Sequence, residues 1–267
     1  MKANNTHSNL RSRGVVLAGI LLIVATVARA EDPAPAPAPE AKKGWETTAA
    51  AGLTLTSGTH DTLLATAGLN TSRKWEKDEA AFGISGGYGE DTDKSFGTNK
   101  ATLVNNNFIQ GFGQYNRLFT EKFYGGFRLD GAYDGVANLD YRVTLTPLAG
   151  YYFIKNAKTT LAAEVGPSAV MEQYSGQDSK IYCGIRFAER FEHKLTDSTK
   201  IWESLSYVPQ VDAWMENYVL TAEAGIDTAI SKKWSLRVVF QDSYVSQPAL
   251  GTQNNELRLI AGTAYKF

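Results

Sequence analysis

Few residues in this sequence have the types and spacing needed for nucleophilic or metal chemistry. The three histidines are His7, His60 and His193, and neither an HExxH segment nor a paired-cysteine spacing accompanies them. We therefore predict no metal and no cofactor. One hydrolase constellation stays open, His193 beside Ser198 or Ser204, because a histidine can activate a neighbouring serine as a nucleophile. An exposed histidine beside a turn is the simpler interpretation of His193, so we expect no enzymatic activity.

Charged residues form the larger set of candidates, and they recur at alternate positions between apolar residues. Alternate side chains of a strand point to opposite faces, so each charged set would share one face of a sheet. In a barrel whose apolar face is outward, these charges would face the lumen, where they either set the ion preference of a pore or pair and plug it. Both alternatives stay open. The residues expected to face the lumen are Arg128, Asp130, Asp140, Arg142, Glu164, Arg186, Arg190, Glu223, Arg237, Glu256 and Arg258.

The elements that must position these charges are strands, because a period of two recurs from Trp45 to Phe267 and no sustained helical stripe follows the first thirty residues. The segments exceed the roughly 5 to 6 residues of soluble strands and approach the roughly 9 to 11 that cross a bilayer. We predict an all-β fold, a transmembrane antiparallel up-and-down β-barrel of about twelve strands, an even number as in bacterial barrels. The predicted spans are 45–57, 61–74, 80–90, 101–118, 122–134, 139–155, 158–173, 180–192, 199–209, 214–230, 233–245 and 255–267.

The connections between these segments alternate in length. Tight polar turns lie at 118–122, 155–158, 196–199 and 231–233, whereas longer connections lie at 90–100, 174–179, 209–216 and 246–254. The connections at 57–60 and 134–138 are short exceptions on the longer side. Short turns on the periplasmic side and longer loops outside are typical of outer-membrane barrels, so both termini are expected in the periplasm.

Aromatic residues cluster toward the short-turn ends of the segments, where amphipathic rings suit the level of the lipid headgroups. A soluble barrel would instead place its large apolar residues inside. Strand length, connection asymmetry and the N-terminal segment together favour the lipid-facing orientation. The clustered residues are Trp45, Trp75, Phe119, Phe123, Tyr151, Phe153, Trp234, Tyr265 and Phe267.

The first thirty residues have the order of a secretory signal peptide. Basic residues precede an apolar run from Gly14 to Val27, and Ala28-Arg29-Ala30 forms a small-x-small cleavage site. The run is shorter than the roughly 20 residues that a membrane-spanning helix needs. Residues 1–30 are therefore predicted to be a signal peptide and residues 31–43, in which proline alternates with alanine, a semi-rigid spacer. The barrel is expected to occupy residues 44–267.

The composition limits the kinds of partner that the protein is expected to bind. The chain without its signal would be mildly acidic, which disfavours nucleic acid because phosphate binding needs clustered Lys and Arg. Cys183 is the single cysteine, so no disulfide can form within one chain. An exported chain without disulfides needs a large core or a bilayer for stability. The expected partners are outer-membrane lipid and, during biogenesis, periplasmic chaperones and the barrel-assembly machinery. The sequence assigns no oligomeric state.

Three segments carry a resemblance to a known family. The segments are Gly44-Trp45 leading to Leu55-Thr56-Ser57-Gly58-Thr59-His60-Asp61-Thr62, Trp75-Glu76-Lys77-Asp78, and Leu139-Asp140-Tyr141-Arg142 leading to Gly150-Tyr151-Tyr152. Through them, residues 44–267 resemble the family of salt-induced outer-membrane proteins called domain of unknown function 481. Thr59-His60 departs from the Asn-Thr usual in that turn. The terminal Tyr265 and Phe267 resemble the C-terminal signature that the assembly machinery reads. The resemblance implies a fold and a bacterial outer-membrane location, and it includes no catalytic motif.

The sequence is compatible with two main functions. The first is a narrow channel for ions or small solutes. The second is a structural or interaction barrel with a plugged lumen, whose outer loops bind a partner or support the envelope under salt or osmotic stress. A hydrolase in the barrel wall is a distant third.

Overall fold

The computed structural model describes residues 44–56, 60–93 and 101–267. The chain divides into two units, Met1–Pro37 and Ala38–Phe267. The predicted signal peptide and spacer lie outside the described residues, as do the connection 57–59 and most of the connection 90–100. No helix in the described ranges has the length and hydropathy needed to cross a membrane.

Twelve strands form the described part of the chain, and the predicted all-β fold is confirmed. Most boundaries agree with the predicted spans within two residues. β10 differs most and begins four residues later than predicted, because backbone hydrogen bonds such as Asn217 N to Ala213 O, 2.8 Å, close a turn there. The strands are β1 Glu46–Thr56, β2 His60–Lys74, β3 Asp78–Asp93, β4 Ala101–Leu118, β5 Phe123–Asp134, β6 Leu139–Lys155, β7 Thr159–Tyr174, β8 Lys180–Lys194, β9 Thr199–Pro209, β10 Tyr218–Ala229, β11 Trp234–Val245 and β12 Asn255–Lys266.

The strands close into one barrel in chain order, and β1 pairs with β12. Every neighbouring pair is antiparallel, so each strand reverses the direction of the one before it. Short turns follow β2, β4, β6, β8 and β10, while the connections after β7, β9 and β11 are longer. The alternation in connection length therefore divides the barrel into a short-turn end and a long-loop end.

The inner face of the barrel is polar and the outer face is mainly apolar. Tyr152 of β6 donates a hydrogen bond to Glu79 of β3 at 2.6 Å, and strands this far apart around the barrel meet only through its interior. At alternate positions, by contrast, large apolar side chains such as Leu145, Phe153 and Leu259 are about half exposed on the outside. Burying them against acyl chains would remove their apolar surface from water.

Outward aromatic residues form two levels on the barrel. On three strands an aromatic residue near the short-turn end has a partner ten positions away toward the long loops, on the same face. With about 3.3 Å of rise per residue and a tilt of roughly 45°, this separation is about 23 Å along the barrel axis. It matches the roughly 25 Å apolar band of outer-membrane barrels. The pairs are Phe123 and Tyr133, Tyr151 and Tyr141, and Trp234 and Tyr244.

A β-bulge at the start of β6 changes which side chains point inward. Asn138 adopts a left-handed φ of 53°, which asparagine tolerates, and the chain then enters β6. Leu139 pairs with Tyr174 and Tyr141 with Gln173, so Asp140 is the extra residue. Leu139 is consequently buried inside against Tyr174, whereas uninterrupted alternation predicted it on the outer face. That part of the prediction is wrong, because a period of two cannot register an inserted residue.

Candidate functional site in the barrel lumen

The structure places all but one of the predicted lumen residues on the inner face. Asp140 is the exception. Its side chain is exposed and accepts a hydrogen bond from Ser175 at 2.5 Å, in the connection after β7. The bulge at the start of β6 is the reason, since the extra residue turns Asp140 away from the inward set. The ten residues on the inner face are Arg128, Asp130, Arg142, Glu164, Arg186, Arg190, Glu223, Arg237, Glu256 and Arg258.

Glu164 of β7 is the centre of a buried polar cluster. Its carboxylate accepts hydrogen bonds from Arg186 at 2.9 Å, Arg190 at 2.8 Å, Gln114 at 2.7 Å and Tyr124 at 2.9 Å. The Glu164 side chain is only 1% exposed. A carboxylate this deep is tolerated because two cations and two neutral donors replace its water. Sequence reasoning missed Gln114 and Tyr124, although both lie at inward positions of their strands.

Further ion pairs continue this inner face toward the long loops. Arg142 bonds to Glu172 at 2.7 Å and donates to the Tyr174 hydroxyl, also at 2.7 Å. Arg128 bonds to Asp130 at 2.7 Å. We call the inner face of β4–β8 the packed wall, since most of its inward side chains on β6–β8 are buried.

Tight contacts between rings and glycines help the packed wall to fill. The Tyr124 ring lies over Gly150 of the neighbouring strand, and a Cβ at position 150 would overlap it. Tyr124 also packs against Tyr152, with ring centroids 5.0 Å apart. Glycine is required at position 150 because only its bare backbone lets the ring lie flat on the strand.

The opposite side of the lumen has mostly small side chains, with Trp202, whose ring lies against Gly225, as an exception. We call the inner face of β9–β12 and β1–β3 the open wall, because most of its inward residues are partly exposed to the lumen. It also carries charged residues, several of which are paired, among them Lys200, which bonds to Glu192 at 2.9 Å. Arg237 bonds to Asp227 at 2.6 Å, and Gln241 donates to Glu223 at 2.7 Å. The small inward residues of this wall include Thr48, Ala50, Gly52, Thr66, Gly68, Ser72, Ser85, Gly87, Ser204, Ser206 and Thr221.

One arginine joins the two walls near the long-loop end. Arg258 of β12 bonds to Asp134 of β5 at 2.5 Å, to Asn106 at 3.3 Å and to Glu256 beside it. Its guanidinium also lies 4.1 Å from the centre of the Phe108 ring, a cation–π contact. Because β12 and β5 are nearly opposite in the barrel, this group crosses the lumen. We call it the Arg258 strut.

The residues considered for hydrolysis do not meet. His193 shares its face with Phe191, against which it stacks, and its Nδ1 lies 2.8 Å from the Thr159 hydroxyl. Ser204 pairs in the ladder with Arg190 and therefore lies on the opposite, inner face. Ser198 is in the turn before β9, where its hydroxyl lies 3.2 Å from that of Thr196. Within the described ranges, no group of His, Cys, Asp and Glu has the arrangement of a metal site.

Fold and lumen together define a class of protein, a closed antiparallel barrel with an apolar outside and a polar, partly open inside. The sequence comparison gives the particular family. Residues 49–267 match the family described as "Protein of unknown function, DUF481", and the chain belongs to it. The resemblance to domain of unknown function 481 that the sequence indicated is thereby confirmed. No curated protein matches the chain in sequence.

Solved structures with similar folds are outer-membrane barrels. The KdgM porin is 10% identical and aligns over 84% of this chain and 99% of its own, with a TM-score of 0.44. The NanC porin is 8% identical over 83% of this chain and 96% of its own, with a TM-score of 0.45. The translocator domain of the autotransporter NalP from Neisseria meningitidis is 15% identical over 84% and 87%, with a TM-score of 0.43.

Proposed function

We propose that this protein is an outer-membrane channel for ions or small hydrophilic solutes, with both termini in the periplasm. The apolar outer face between two aromatic levels supports membrane insertion. Its height of about 23 Å, obtained from roughly 3.3 Å per residue at a tilt of about 45°, suits the outer membrane. The five short turns at one end favour a periplasmic position for that end, since long loops are extracellular in such barrels.

One observation carries the channel proposal, the open wall with its small, partly exposed side chains. Serine, threonine and glycine leave space and present hydroxyl and backbone groups that can replace the water around a solute. The packed wall cannot provide this path, because its tyrosines, arginines and glutamates contact one another. We therefore place the conducting path off the barrel axis, along β9–β12 and β1–β3, with the Arg258 strut as its narrowest point.

Planar-bilayer recording of the purified protein tests the proposal. We expect discrete current steps, and we expect Arg258→Ala to increase their size because the strut no longer crosses the lumen. Arg237→Ala should alter the current more than Arg142→Ala, because Arg237 borders the open wall. The matched control is Arg117→Ala, which also removes an arginine bonded to a carboxylate, Asp78, but on the outside of the barrel. Currents no larger than those of a protein-free membrane would refute the channel.

The packed wall favours a second candidate, an interaction barrel with a closed lumen. In that case the long loops bind a partner or support the envelope under osmotic stress. Replacing the connection 246–254 with a short Gly-Asn turn should then abolish a stress phenotype while the barrel still assembles. An unchanged phenotype together with bilayer currents would leave the channel as the function.

A further inference from the structure

Three oxygen-bearing side chains lie side by side on adjacent strands in the middle of the open wall. Glu223 of β10 is the ladder partner of Ser204 on β9 and of Gln241 on β11. Directly paired residues of adjacent strands share a face and have Cβ atoms about 4.5 to 5.5 Å apart. The carboxylate, the hydroxyl and the amide therefore face the lumen together.

An unsatisfied acceptor lies beside the carboxylate. Gln241 donates through Nε2 to Glu223 Oε1 at 2.7 Å, and this orients the amide. Its other end, Gln241 Oε1, is buried and has no hydrogen-bond partner within the described residues. A buried acceptor without a donor is costly, by roughly 1–3 kcal/mol. A cation between the amide oxygen and the carboxylate would satisfy both groups.

Glu223 also lacks a cationic partner of its own. Arg128 and Arg237 lie within electrostatic reach of it, but they bond to Asp130 and Asp227 respectively. Across the described inner face, Glu223 makes no ion pair.

The excess of positive charge and the excess of negative charge lie on different walls of the barrel. In the packed wall two arginines share the single carboxylate of Glu164, so the surplus of positive charge lies on that wall. At the strut, by contrast, Arg258 is shared by Asp134 and Glu256. A solute that moves along the open wall therefore passes more unpaired carboxylates than unpaired cations.

We propose that Glu223, Gln241 and Ser204 form a cation subsite in the lumen and that the channel consequently prefers small monovalent cations to anions. Hard cations favour oxygen ligands, and carboxylates that line a pore set its preference for cations. The selectivity part rests on the proposed channel function, whereas occupancy of the subsite does not require conduction.

Reversal potentials across a potassium chloride gradient test the selectivity. Wild-type protein should favour potassium several-fold over chloride. Glu223→Gln, which keeps the shape of the side chain, should bring the ratio close to unity, and Gln241→Leu should lower it by a smaller amount. Glu189→Gln is the matched control, because Glu189 is an exposed glutamate at an outward position of β8. An unchanged ratio in Glu223→Gln, or an equal change in Glu189→Gln, would overturn the selectivity.

Diffraction from crystals soaked in a thallium salt tests the subsite without conduction. We expect one anomalous peak between Glu223 and Gln241 in the wild type and none in Glu223→Gln. A peak in a protein that passes no current would support the subsite and refute the channel. Current without the peak, and with unchanged selectivity in Glu223→Gln, would refute the subsite and keep the channel. A peak that persists in Glu223→Gln would mark an adventitious ion only and overturn the assignment.

Discussion

The packed wall and the open wall follow the same alternating pattern, yet they give two different interiors. On β6 and β7 nearly every inward residue is buried, including Thr146 and Glu164, while on β1 to β3 inward threonines and serines stay partly exposed. The difference lies in the size of the inward side chains. Tyrosine and arginine reach across neighbouring strands and fill their half of the lumen, whereas glycine, alanine and serine cannot. An alternating pattern therefore makes a barrel, and inward volume decides where it is open.

The two walls also differ in what their charges do. Buried ion pairs add little net stability over apolar residues of the same shape, but the loss of one partner is strongly destabilising. The packed wall is thus held to one arrangement, in which Glu164 organises donors from β4, β5 and β8. The open wall lacks such a cluster and tolerates water.

The largest expected effect comes from comparing the stability loss of one glutamate substitution on each wall. Glu164→Gln leaves the buried Arg186 and the partly exposed Arg190 without a counter-charge, so we expect a loss of about 3–5 kcal/mol in the free energy of unfolding. Glu223→Gln should lose no more than about 1 kcal/mol, because no ion pair is broken. Urea unfolding in lipid vesicles, followed by tryptophan fluorescence, measures both. Equal losses would show that the two walls are not different.

The strands were predictable from the sequence, because each strand repeats its own period locally. The predicted spans 199–209 and 255–267, for example, agree with β9 and β12 within one residue. The inserted Asp140 was not predictable, since a bulge depends on how β6 pairs with β7.

The pairing of charges across the lumen was also beyond the sequence. Glu164 meets Gln114 and Tyr124, which lie 50 and 40 positions earlier in the chain. Arg258 meets Asp134, a separation of 124 positions. Which inward residues meet depends on strand register, tilt and barrel closure, and none of these is encoded in a local period. The division into two walls follows from these contacts and therefore emerged only with the structure.

The second prediction tests whether lipid covers the outer face of the barrel equally behind the packed wall and behind the open wall. Leu129→Arg changes the outer face behind the packed wall and Val238→Arg the outer face behind the open wall, each midway between the aromatic levels. Arginine at the bilayer midplane costs about 2–4 kcal/mol, so both variants should lose that amount in vesicle unfolding. Tyr133→Arg lies at the aromatic level near the long-loop end and is the control. It should lower the free energy of unfolding by only about 0–1 kcal/mol. If all three variants were neutral, the outer face would be in water.

A third, smaller effect tests the close ring contacts of the packed wall. Gly150→Ala puts a methyl group where the Tyr124 ring lies, and overpacking of this kind costs about 1–3 kcal/mol. Gly131→Ala is the matched control, because a Cβ at position 131 has nothing within 4 Å. It should change the free energy of unfolding by no more than about 0.5 kcal/mol. Similar losses for both variants would mean that the backbone, rather than the ring, requires the glycines.

The smallest effect compares one hydroxyl in each wall. The Thr146 hydroxyl lies 2.8 Å from that of Ser168 in the packed wall, and both are buried. Thr146→Val keeps the shape but leaves Ser168 without its partner, so we expect a loss of about 1 kcal/mol. Thr66→Val on the open wall should lose less than about 0.5 kcal/mol, because water reaches that position. If Thr66→Val were the costlier variant, water would be excluded from β2, and the proposed path along the open wall would be refuted.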